Sequence, residues 1–424
     1  MTHILIHNGT LIDGNGGTPI KNAAVLIKDE RIVAVGIKNE LNTPASDVEM
    51  IDAGGGTILP GFIDTHVHIM LEGVDLQKLL TAPFSLRFYQ AAEHMRRTID
   101  AGVTTVRDAA GADLGVKQAV EQGLVVGPRM QISITALSIT GGHGDGWNPS
   151  GSTLHLMPSY PGMPDNICDG VEQVRQKVRE VLRAGAEVVK VCSTGGVLSP
   201  TDHPEFTQFT VEELEAMVQE AAYRRGVKVM SHAQGVEGVK NAIRAGIHSI
   251  EHGIFLDDEA IEMMLNAGTF LVPTLLAPLA VIEQAEAYGT MPEYGVRKAR
   301  ETIEIHSESI AKAYAAGVTI AMGTDAGVMP HGTNLRELGL MCNIGMSPME
   351  SIVATTKVAA TCLGWQDRIG TVEAGKLADI VVAATDPLAD IRSLEKTENI
   401  TVVMQGGRVL KDSRSTFWED FVLV

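Results

Sequence analysis

Through the central part of the chain, stretches with the apolar pattern of a strand alternate with stretches that have the apolar pattern of a helix. The clearest helix begins at Thr210, where Glu213 completes a capping box, and it is predicted to end at Gly226. The apolar run 227–232 follows as a buried strand, and the next amphipathic stretch ends at Gly246. Repeated strand–helix units of this kind are typical of an α/β protein with a parallel sheet.

Eight apolar runs in this part of the chain have the length and pattern of strands. They lie at 62–68, 104–108, 130–135, 187–191, 227–232, 247–252, 270–274 and 318–325. Eight β/α units within roughly 300 residues predict a (β/α)8 TIM-type barrel. A doubly wound open sheet is the alternative, but the chain lacks the glycine-rich dinucleotide turn that such sheets usually carry after their first strand.

The two ends of the chain have a different pattern. Short β segments fill the first part, with a hairpin turn at Asp29-Glu30, and further β segments with a Pro-containing turn fill the last part. Together they predict one small β-sandwich built from both chain termini. We therefore expect residues 1–59 and 362–424 to form the sandwich and residues 60–361 to form the barrel.

Composition and charge narrow the classes of function. The 424 residues are 45% apolar and 20% charged, which suits a globular protein with a barrel and a smaller domain. The formal net charge of −18 argues against nucleic acid and anionic membranes as partners. No signal peptide, membrane-spanning run or CxxC pair is visible, so we expect a cytoplasmic protein that acts on a small molecule. A homo-oligomer is compatible with this composition.

The connection between Thr135 and Gly170 is too long for an ordinary loop after a barrel strand. Long loops of this kind are usually functional lids or disordered segments, and this one would lie over the active face of a barrel. It carries His143 between glycines, which let a backbone approach a ligand. His143 is therefore a candidate to bind a substrate carboxylate or oxyanion, although it could simply organise the loop.

Two histidines stand one residue apart in the first predicted barrel strand. Because side chains alternate along a strand, His66 and His68 point to the same face. Two adjacent imidazoles are natural ligands for a divalent metal. Taken alone, such a pair is equally compatible with ordinary strand histidines.

Lys190 lies in an apolar strand between valines. Burial pushes a lysine toward its neutral form, and a neutral amine can react with carbon dioxide to give an anionic carbamate that bridges two cations. The alternative is a lysine that pairs with a carboxylate or extends to the surface.

Three further strands end in candidate ligands. His232 and His252 end successive strands, and Asp325 ends the eighth, where Gly323 allows close approach. A carboxylate there can bind a metal and move a proton, although it could also cap the next helix. Gln234 and His331, near these ends, are candidates for contact with a substrate. Arg107 is expected to pair with Asp108 inside the protein.

The order of these residues, His-x-His, Lys, His, His and Asp on five strands, resembles the amidohydrolase superfamily in its binuclear, carboxylated-lysine subtype. The segment ILPGFIDTHVH is similar to the first-strand signature of that superfamily, and IGTVEAGKLADIVV is similar to its return into the β-sandwich. The resemblance covers nearly the whole chain.

The resemblance implies two divalent metal ions. His66, His68 and Asp325 would hold the more buried ion, and His232 and His252 would hold the more exposed one. Imidazole-rich sites favour Zn²⁺, although manganese or cobalt would suit a carbamate bridge.

N6-carboxylation of Lys190 is also implied by the resemblance, and the carbamate would bridge the two ions together with a hydroxide. Asp325 would accept the proton of the attacking hydroxide and deliver it to the leaving nitrogen of an amide. All of the expected ligands are present, which argues against a degenerate relative.

The segments TTVRDAAG, TGGHGD, KVCSTGGV and HAQG are similar to the branch that contains imidazolonepropionase-like proteins and Xaa-Pro dipeptidases. This resemblance implies a prolidase, and Lys190 counts against imidazolonepropionase activity itself. Three alternatives stay open: hydrolysis of dipeptides with C-terminal Arg or Lys or of N-acyl amino acids, a cyclic amidohydrolase such as a hydantoinase or dihydroorotase, and a barrel scaffold without catalysis.

Overall fold

The computed structural model describes residues 3–42, 44, 47–73, 75, 81–289 and 291–414. Its strands are β1 (His3–Leu11), β2 (Ile20–Lys28), β3 (Arg31–Ile37), β4 (Val48–Asp52), β5 (Thr57–Pro60), β6 (Phe62–Val67), β7 (Val103–Asp108), β8 (Arg129–Ile132), β9 (Ala136–Leu137), β10 (Val188–Cys192), β11 (Lys228–Ala233), β12 (Ser249–His252), β13 (Phe270–Val272), β14 (Ile380–Ala383), β15 (Ile400–Gln405) and β16 (Arg408–Asp412).

The α-helices are α1 (Leu86–Asp100), α2 (Leu114–Glu121), α3 (Gly170–Arg183), α4 (Val211–Ala222), α5 (Val236–Arg244), α6 (Asp258–Ala267), α7 (Leu276–Tyr288), α8 (Glu293–Ala316), α9 (Arg336–Asn343), α10 (Pro348–Val353) and α11 (Ala359–Leu363). A π-helical turn, Ala354–Val358, joins α10 to α11. Short 3-10 helices lie at Lys38–Glu40, Ile391–Glu395 and Thr397–Asn399. Within the described residues, none of these helices is long and apolar enough to cross a bilayer.

The central strands form two parallel sheets, one of β6, β7 and β8 and one of β9 to β13 in chain order. Seven of the eight predicted runs therefore contain strands. In the third run the strand β8 ends at Ile132, the short strand β9 begins just after the run, and Glu187 N donates to Ile132 O at 2.8 Å. This bond links the end of the first sheet to the residue that precedes β10 in the second.

The eighth run, 318–325, is not a regular strand, yet it lies between β13 and β6. Ile320 bridges Leu271 on one side, and Ala326 bridges Val67 on the other. At the end of the run, Asp325 adopts a left-handed φ of 65°. These links join the outer strands of the two sheets, which is consistent with a barrel-like ring of strands.

The strands at the two ends of the chain share one mixed sheet, in the order β16-β15-β14-β5-β1-β2-β3, with β4 paired to β1. The join is the antiparallel pairing of β14 with β5, in which Ile380 stands opposite Pro60. Apolar residues of both ends, such as Ile6 and Ile380, pack in one cluster. The sequence predicted a sandwich from both ends, and the structure has a β domain from both ends whose strands form one continuous sheet.

Local signals in the sequence are confirmed at several element ends. Asp29, with a φ of 53°, turns the hairpin between β2 and β3. Thr210 and Glu213 form the predicted capping box, and the chain leaves α4 through turns that reach Gly226, whose φ is 72°. The long connection before Gly170 is held by bonds of its own, including a parallel bridge between Ser138 and Ile167.

Candidate metal and substrate site

A cavity of about 200 Å³ opens where the central strands end. Its wall brings together eight of the nine residues that the sequence singled out: His66, His68, His143, Lys190, His232, Gln234, His252 and Asp325. His331 is not part of this wall. Its ring stacks on His94 at 4.8 Å between centroids, and its Nε2 bonds to Leu71 O at 2.9 Å.

The histidines of β6 converge on the carboxylate that follows the eighth run. Asp325 Oδ1 lies 3.1 Å from His68 Nε2 and 3.5 Å from His66 Nε2. Within the described part of the chain, these three residues form the cluster whose ligand atoms all lie close enough together to hold one metal ion. The geometry therefore fits the predicted partnership of His66, His68 and Asp325.

Each of the four histidines at the strand ends has one ring nitrogen bonded to a protein oxygen. The bonds are His66 Nδ1 to Glu251 Oε2 at 2.7 Å, His68 Nδ1 to Ala110 O at 2.9 Å, His232 Nε2 to Gly195 O at 3.0 Å and His252 Nδ1 to Thr274 Oγ1 at 2.7 Å. A carbonyl or carboxylate oxygen can only accept, so the bonded nitrogen of His66, His68 and His232 carries a proton, whereas the Thr274 hydroxyl can either accept from His252 Nδ1 or donate to it. In His66 and His232 the opposite ring nitrogen therefore keeps its lone pair for a metal, while His68 Nε2 faces Asp325 Oδ1 at 3.1 Å.

Lys190 is buried among these rings, with its Nζ 3.4 Å from His66 Nε2. Burial lowers the pKa of Lys190 below its ordinary range. Among the described residues, the ion pairs of this region include none made by Lys190. The structure therefore does not provide the carboxylate partner that would make Lys190 an ordinary buried cation.

The protonation states of the other groups also suit a cation. Burial lowers the pKa of His66, His232 and His252 well below the ordinary histidine value, so these rings are neutral near pH 7. Burial alone would raise the pKa of Asp325, but the neighbouring His66 and His68 lower it overall, so the carboxylate is ionised. Neutral imidazoles and an ionised carboxylate are the forms that bind divalent metals.

Arg107 has a different partner from the one expected. The sequence suggested an ion pair with Asp108, but Arg107 Nη2 donates to Glu251 Oε1 at 2.9 Å. Asp108 instead accepts from the backbone N–H groups of Ile69 and Ala112. The reason is strand alternation, because adjacent residues of β7 point to opposite faces. Glu251 thus joins a buried guanidinium to the ring of His66.

Two of the candidate ligands have left-handed backbone conformations, with φ of 75° at His252 and 65° at Asp325. Such values are uncommon for residues other than glycine and cluster at functional sites. Gly323 stands close to β6, since a Cβ there would lie 3.0 Å from His66 Cβ. The eighth run therefore approaches the first strand as closely as the sequence suggested.

His143 and Gln234 reach the cavity from outside the ligand cluster. The His143 ring stacks on the His232 ring, with centroids 4.1 Å apart and planes 17° apart. Gln234 Oε1 is buried and has no hydrogen-bond partner among the described residues. Both side chains are thus placed where a substrate could contact them.

The sequence interpretation missed Glu251, Tyr294 and His306. Tyr294 and His306 line the cavity from the long helix α8, and no motif identifies them. The sequence did contain a signal for Glu251. A carboxylate inside an apolar strand needs a buried partner, just as the amine of Lys190 does.

Comparison with known proteins gives consistent matches over the length of the chain. An ochratoxinase of Aspergillus niger is 34% identical, over 96% of this chain and 86% of its own length. An imidazolonepropionase of Geobacillus kaustophilus is 26% identical, over 92% of this chain and 90% of its own. The crystal structure of a Xaa-Pro dipeptidase with bound methionine is 34% identical and superposes with a TM-score of 0.87, over 96% of this chain and 99% of that chain.

The amidohydrolase family model matches residues 57–410, which include β5 to β15 and every candidate ligand described above. The relatives are hydrolytic enzymes that act on small molecules, and they include the imidazolonepropionase-like branch. The chain therefore belongs to the amidohydrolase family.

Proposed function

We propose that this protein is a binuclear metal-dependent amidohydrolase that cleaves Xaa-Pro dipeptides. The observation that carries the proposal is the set of four histidines, each with one ring nitrogen bonded to a protein oxygen, around a buried Lys190 that makes no ion pair with a carboxylate of the described residues. The Xaa-Pro assignment rests on the similarity to the Xaa-Pro dipeptidase structure.

The proposed frame is a (β/α)8 barrel over residues 60–361, flanked by residues 1–59 and 362–424 as the β domain. The two parallel sheets would supply the first seven barrel strands, and the run 318–325 would supply the eighth. In such barrels the catalytic residues lie at the carboxyl ends of the strands, where the candidate ligands of this chain lie.

His66, His68 and Asp325 would hold one divalent ion, and His232 and His252 would hold the other. A divalent ion at such a site lowers the pKa of water and polarises a carbonyl group. Carboxylated Lys190 would supply two anionic oxygens between the two sets of ligands. Burial lowers the pKa of this amine, and the neutral amine is the form that can react with carbon dioxide.

The remaining steps belong to the side chains of the protein. The carboxylate of Asp325 would take the proton of the nucleophilic water and pass it to the leaving nitrogen. His143 would donate to the C-terminal carboxylate of the substrate, and the unpartnered Gln234 Oε1 would accept a substrate N–H. No covalent intermediate between enzyme and substrate is needed.

Hydrolysis of N-acyl amino acids with apolar acyl groups is a second candidate. Much of the cavity wall is apolar, with Leu156, Val197, Leu198 and Val281 among its residues. The similarity to an ochratoxinase points in the same direction.

The wall is less suited to a C-terminal Arg or Lys. The described residues that line it include two carboxylates, Asp145 and the candidate ligand Asp325. Asp145 already accepts from the backbone N–H groups of Gly141 and Trp147, at 2.7 and 3.1 Å.

A substrate panel tests the proposal directly. Xaa-Pro dipeptides, N-acyl amino acids, dipeptides with C-terminal Arg or Lys, and cyclic ureides should be compared by kcat/KM with the metal-loaded enzyme. We expect Xaa-Pro to be the best class and its C-terminal amide to be about 10- to 150-fold poorer, the value of one charged hydrogen bond. Faster cleavage of Arg or Lys dipeptides, or of cyclic ureides, would contradict the substrate assignment.

Metal analysis separates the enzyme from a scaffold. We expect two equivalents of divalent metal per chain after loading with zinc. A chain that retains none and hydrolyses no member of the panel would be a scaffold instead.

A further inference from the structure

The ring of His143 is linked to a buried carboxylate through the hydroxyl of a serine. His143 Nδ1 lies 2.9 Å from Ser199 Oγ, and Ser199 Oγ makes a short hydrogen bond to Asp202 Oδ1. Both Ser199 and Asp202 are buried. We propose that Asp202 is a positioning residue that acts through Ser199 to fix the proton of His143 on Nδ1 and so to present Nε2 to the substrate.

The direction of the hydrogen bonds follows from the groups involved. An ionised carboxylate can only accept, and a serine hydroxyl has a single proton. The Ser199 hydroxyl therefore donates to Asp202, and its oxygen is left to accept from His143 Nδ1–H. With Nδ1 bound in this way, Nε2 is the ring atom left to face a ligand.

A second link joins the same two residues through Gln208. The amide Nε2 of Gln208 donates to Asp202 Oδ2 at 3.1 Å, while its Oε1 accepts from the backbone N–H of His143 at 3.1 Å. Both the ring and the backbone of His143 are thus tied to one carboxylate.

Lys298 of α8 fixes the loop that carries Ser199 and Asp202. Its ammonium group donates to the backbone oxygens of Gly196, Ser199 and Asp202 at 2.9, 2.8 and 2.7 Å. The Asp202 carboxylate also lies 3.7 Å from Lys298 Nζ, which gives this buried charge a counterion. Lys298 thus both bonds to the backbone of this loop and counters the charge of the Asp202 carboxylate.

The role for substrate recognition rests on the proposed function, but the position of the proton on His143 does not. The zinc-loaded protein labelled with ¹⁵N in its histidines allows that position to be measured by NMR, with His143 identified by the signal lost in His143→Ala. We expect a proton on Nδ1 in the wild type and loss of that preference in Ser199→Ala. A wild-type ring protonated only on Nε2, or an unchanged Nδ1–H in Ser199→Ala, would overturn the proposal.

Steady-state kinetics tests the consequence for substrate recognition. The quantity measured is kcat/KM for an Xaa-Pro dipeptide divided by kcat/KM for its C-terminal amide. Ser199→Ala and Asp202→Asn should lower this ratio roughly 3- to 30-fold, mainly through KM. The reason is that the hydrogen bond between His143 and the substrate carboxylate is loosened rather than removed. Ser199→Thr keeps the hydroxyl and should restore the ratio. Ser351→Ala, which removes a buried hydroxyl from α10, is the matched control and should leave it unchanged.

The double variant His143→Ala/Ser199→Ala separates positioning from a direct role of Ser199. If Ser199 acts through His143, the double variant should match His143→Ala within about 2-fold, because the two effects are not independent. Additive losses would overturn the positioning role. Should Xaa-Pro not be a substrate at all, the NMR result still decides the proposal on its own.

Discussion

At the scale of single residues, Lys190 has a position that few lysines occupy. It lies in an apolar strand, and burial lowers its pKa. A buried amine without a counterion is costly unless its charge is removed. Carboxylation would reverse the sign of this side chain and supply the anion that a set of neutral histidines lacks.

Lys190→Ala should therefore lose most of the activity and retain fewer than two metal ions per chain, while the protein still folds. Acetate or propionate should restore part of the activity, since a small carboxylate can occupy the vacated space. Metal content, kcat/KM with and without the added acid, and thermal unfolding measure these effects. Near wild-type rates with two bound ions would show that Lys190 is not a bridge.

Glu251 gives a second prediction at the same scale. It links the buried Arg107 to His66 Nδ1, and the loss of such a partner of a metal-binding histidine typically costs 10- to 100-fold in metal affinity or activity. Glu251→Gln should show a loss of about that size. It should also destabilise the fold by about 3–5 kcal/mol, because Arg107 is left buried with a neutral partner.

The double variant Arg107→Met/Glu251→Gln is the control for this prediction. It removes both charges, so it should regain part of the stability without regaining metal affinity. Equal metal retention in Glu251→Gln and the wild type would contradict the role of Glu251. Competition with a chelator and chemical unfolding provide the two measurements.

At the scale of elements, the candidate site is made where strands end abruptly. His252 and Asp325 both have left-handed φ values, as does Thr274 after β13. Each turns the chain out of its strand direction just where a side chain must face the cavity. The backbone strain at these positions is a cost that the packed strands below them offset.

The loop after β10 passes so close to His143 that one residue has no room for a side chain. A Cβ at Gly196 would lie 2.2 Å from Cε1 of the His143 ring. Gly196→Ala should therefore displace the ring and raise KM for a substrate that His143 binds, with a smaller change in kcat. Gly17→Ala is the control, since a Cβ there meets nothing within 4 Å. An unchanged KM in Gly196→Ala would mean that the ring position does not matter for binding.

The sequence predicts the strand ends well and the contacts between loops poorly. His66, His68, Lys190, His232 and Asp325 could be found because each interrupts or ends an apolar run whose period is known. The bond from Ser199 to His143 crosses 56 positions of the chain, and no local pattern encodes it. The sequence neighbourhood of His331, a candidate for substrate contact, likewise does not reveal that its ring stacks on His94.

At the scale of the whole molecule, buried histidines couple the fold to pH. Burial lowers the pKa of His248 to about 4 from an ordinary value of 6.5, and its Nε2 bonds to Cys362 O at 2.9 Å. The unfolded chain takes up this proton near pH 6.5, whereas the folded protein takes it up only near pH 4. Stability is therefore fully present above about pH 6.5 and is lost as the pH falls toward 4, by at most about 1.4 kcal/mol per pH unit for this group.

His248→Gln should make the unfolding free energy less dependent on pH. Between about pH 7.5 and pH 5, the variant should lose about 2 kcal/mol less than the wild type, because one titrating group is gone. The remaining loss belongs to other buried histidines, such as His306, whose pKa burial also lowers to about 4. Chemical unfolding at the two pH values makes the comparison, and parallel losses in both proteins would exclude His248 as a contributor.

During synthesis of the chain, the pairing of β5 with β14 has to wait until the second of these strands has been made. β5 is complete long before the ribosome reaches β14, roughly 300 residues later, a delay of roughly 15–60 s at 5–20 residues per second. During that delay the edge of β5 that β14 later covers is open to pairing. A neighbouring nascent chain that offers its own β14 would find that edge open, so we expect crowded synthesis on one messenger RNA to favour strand-exchanged pairs. Slower initiation of translation, which spaces the ribosomes, should reduce them.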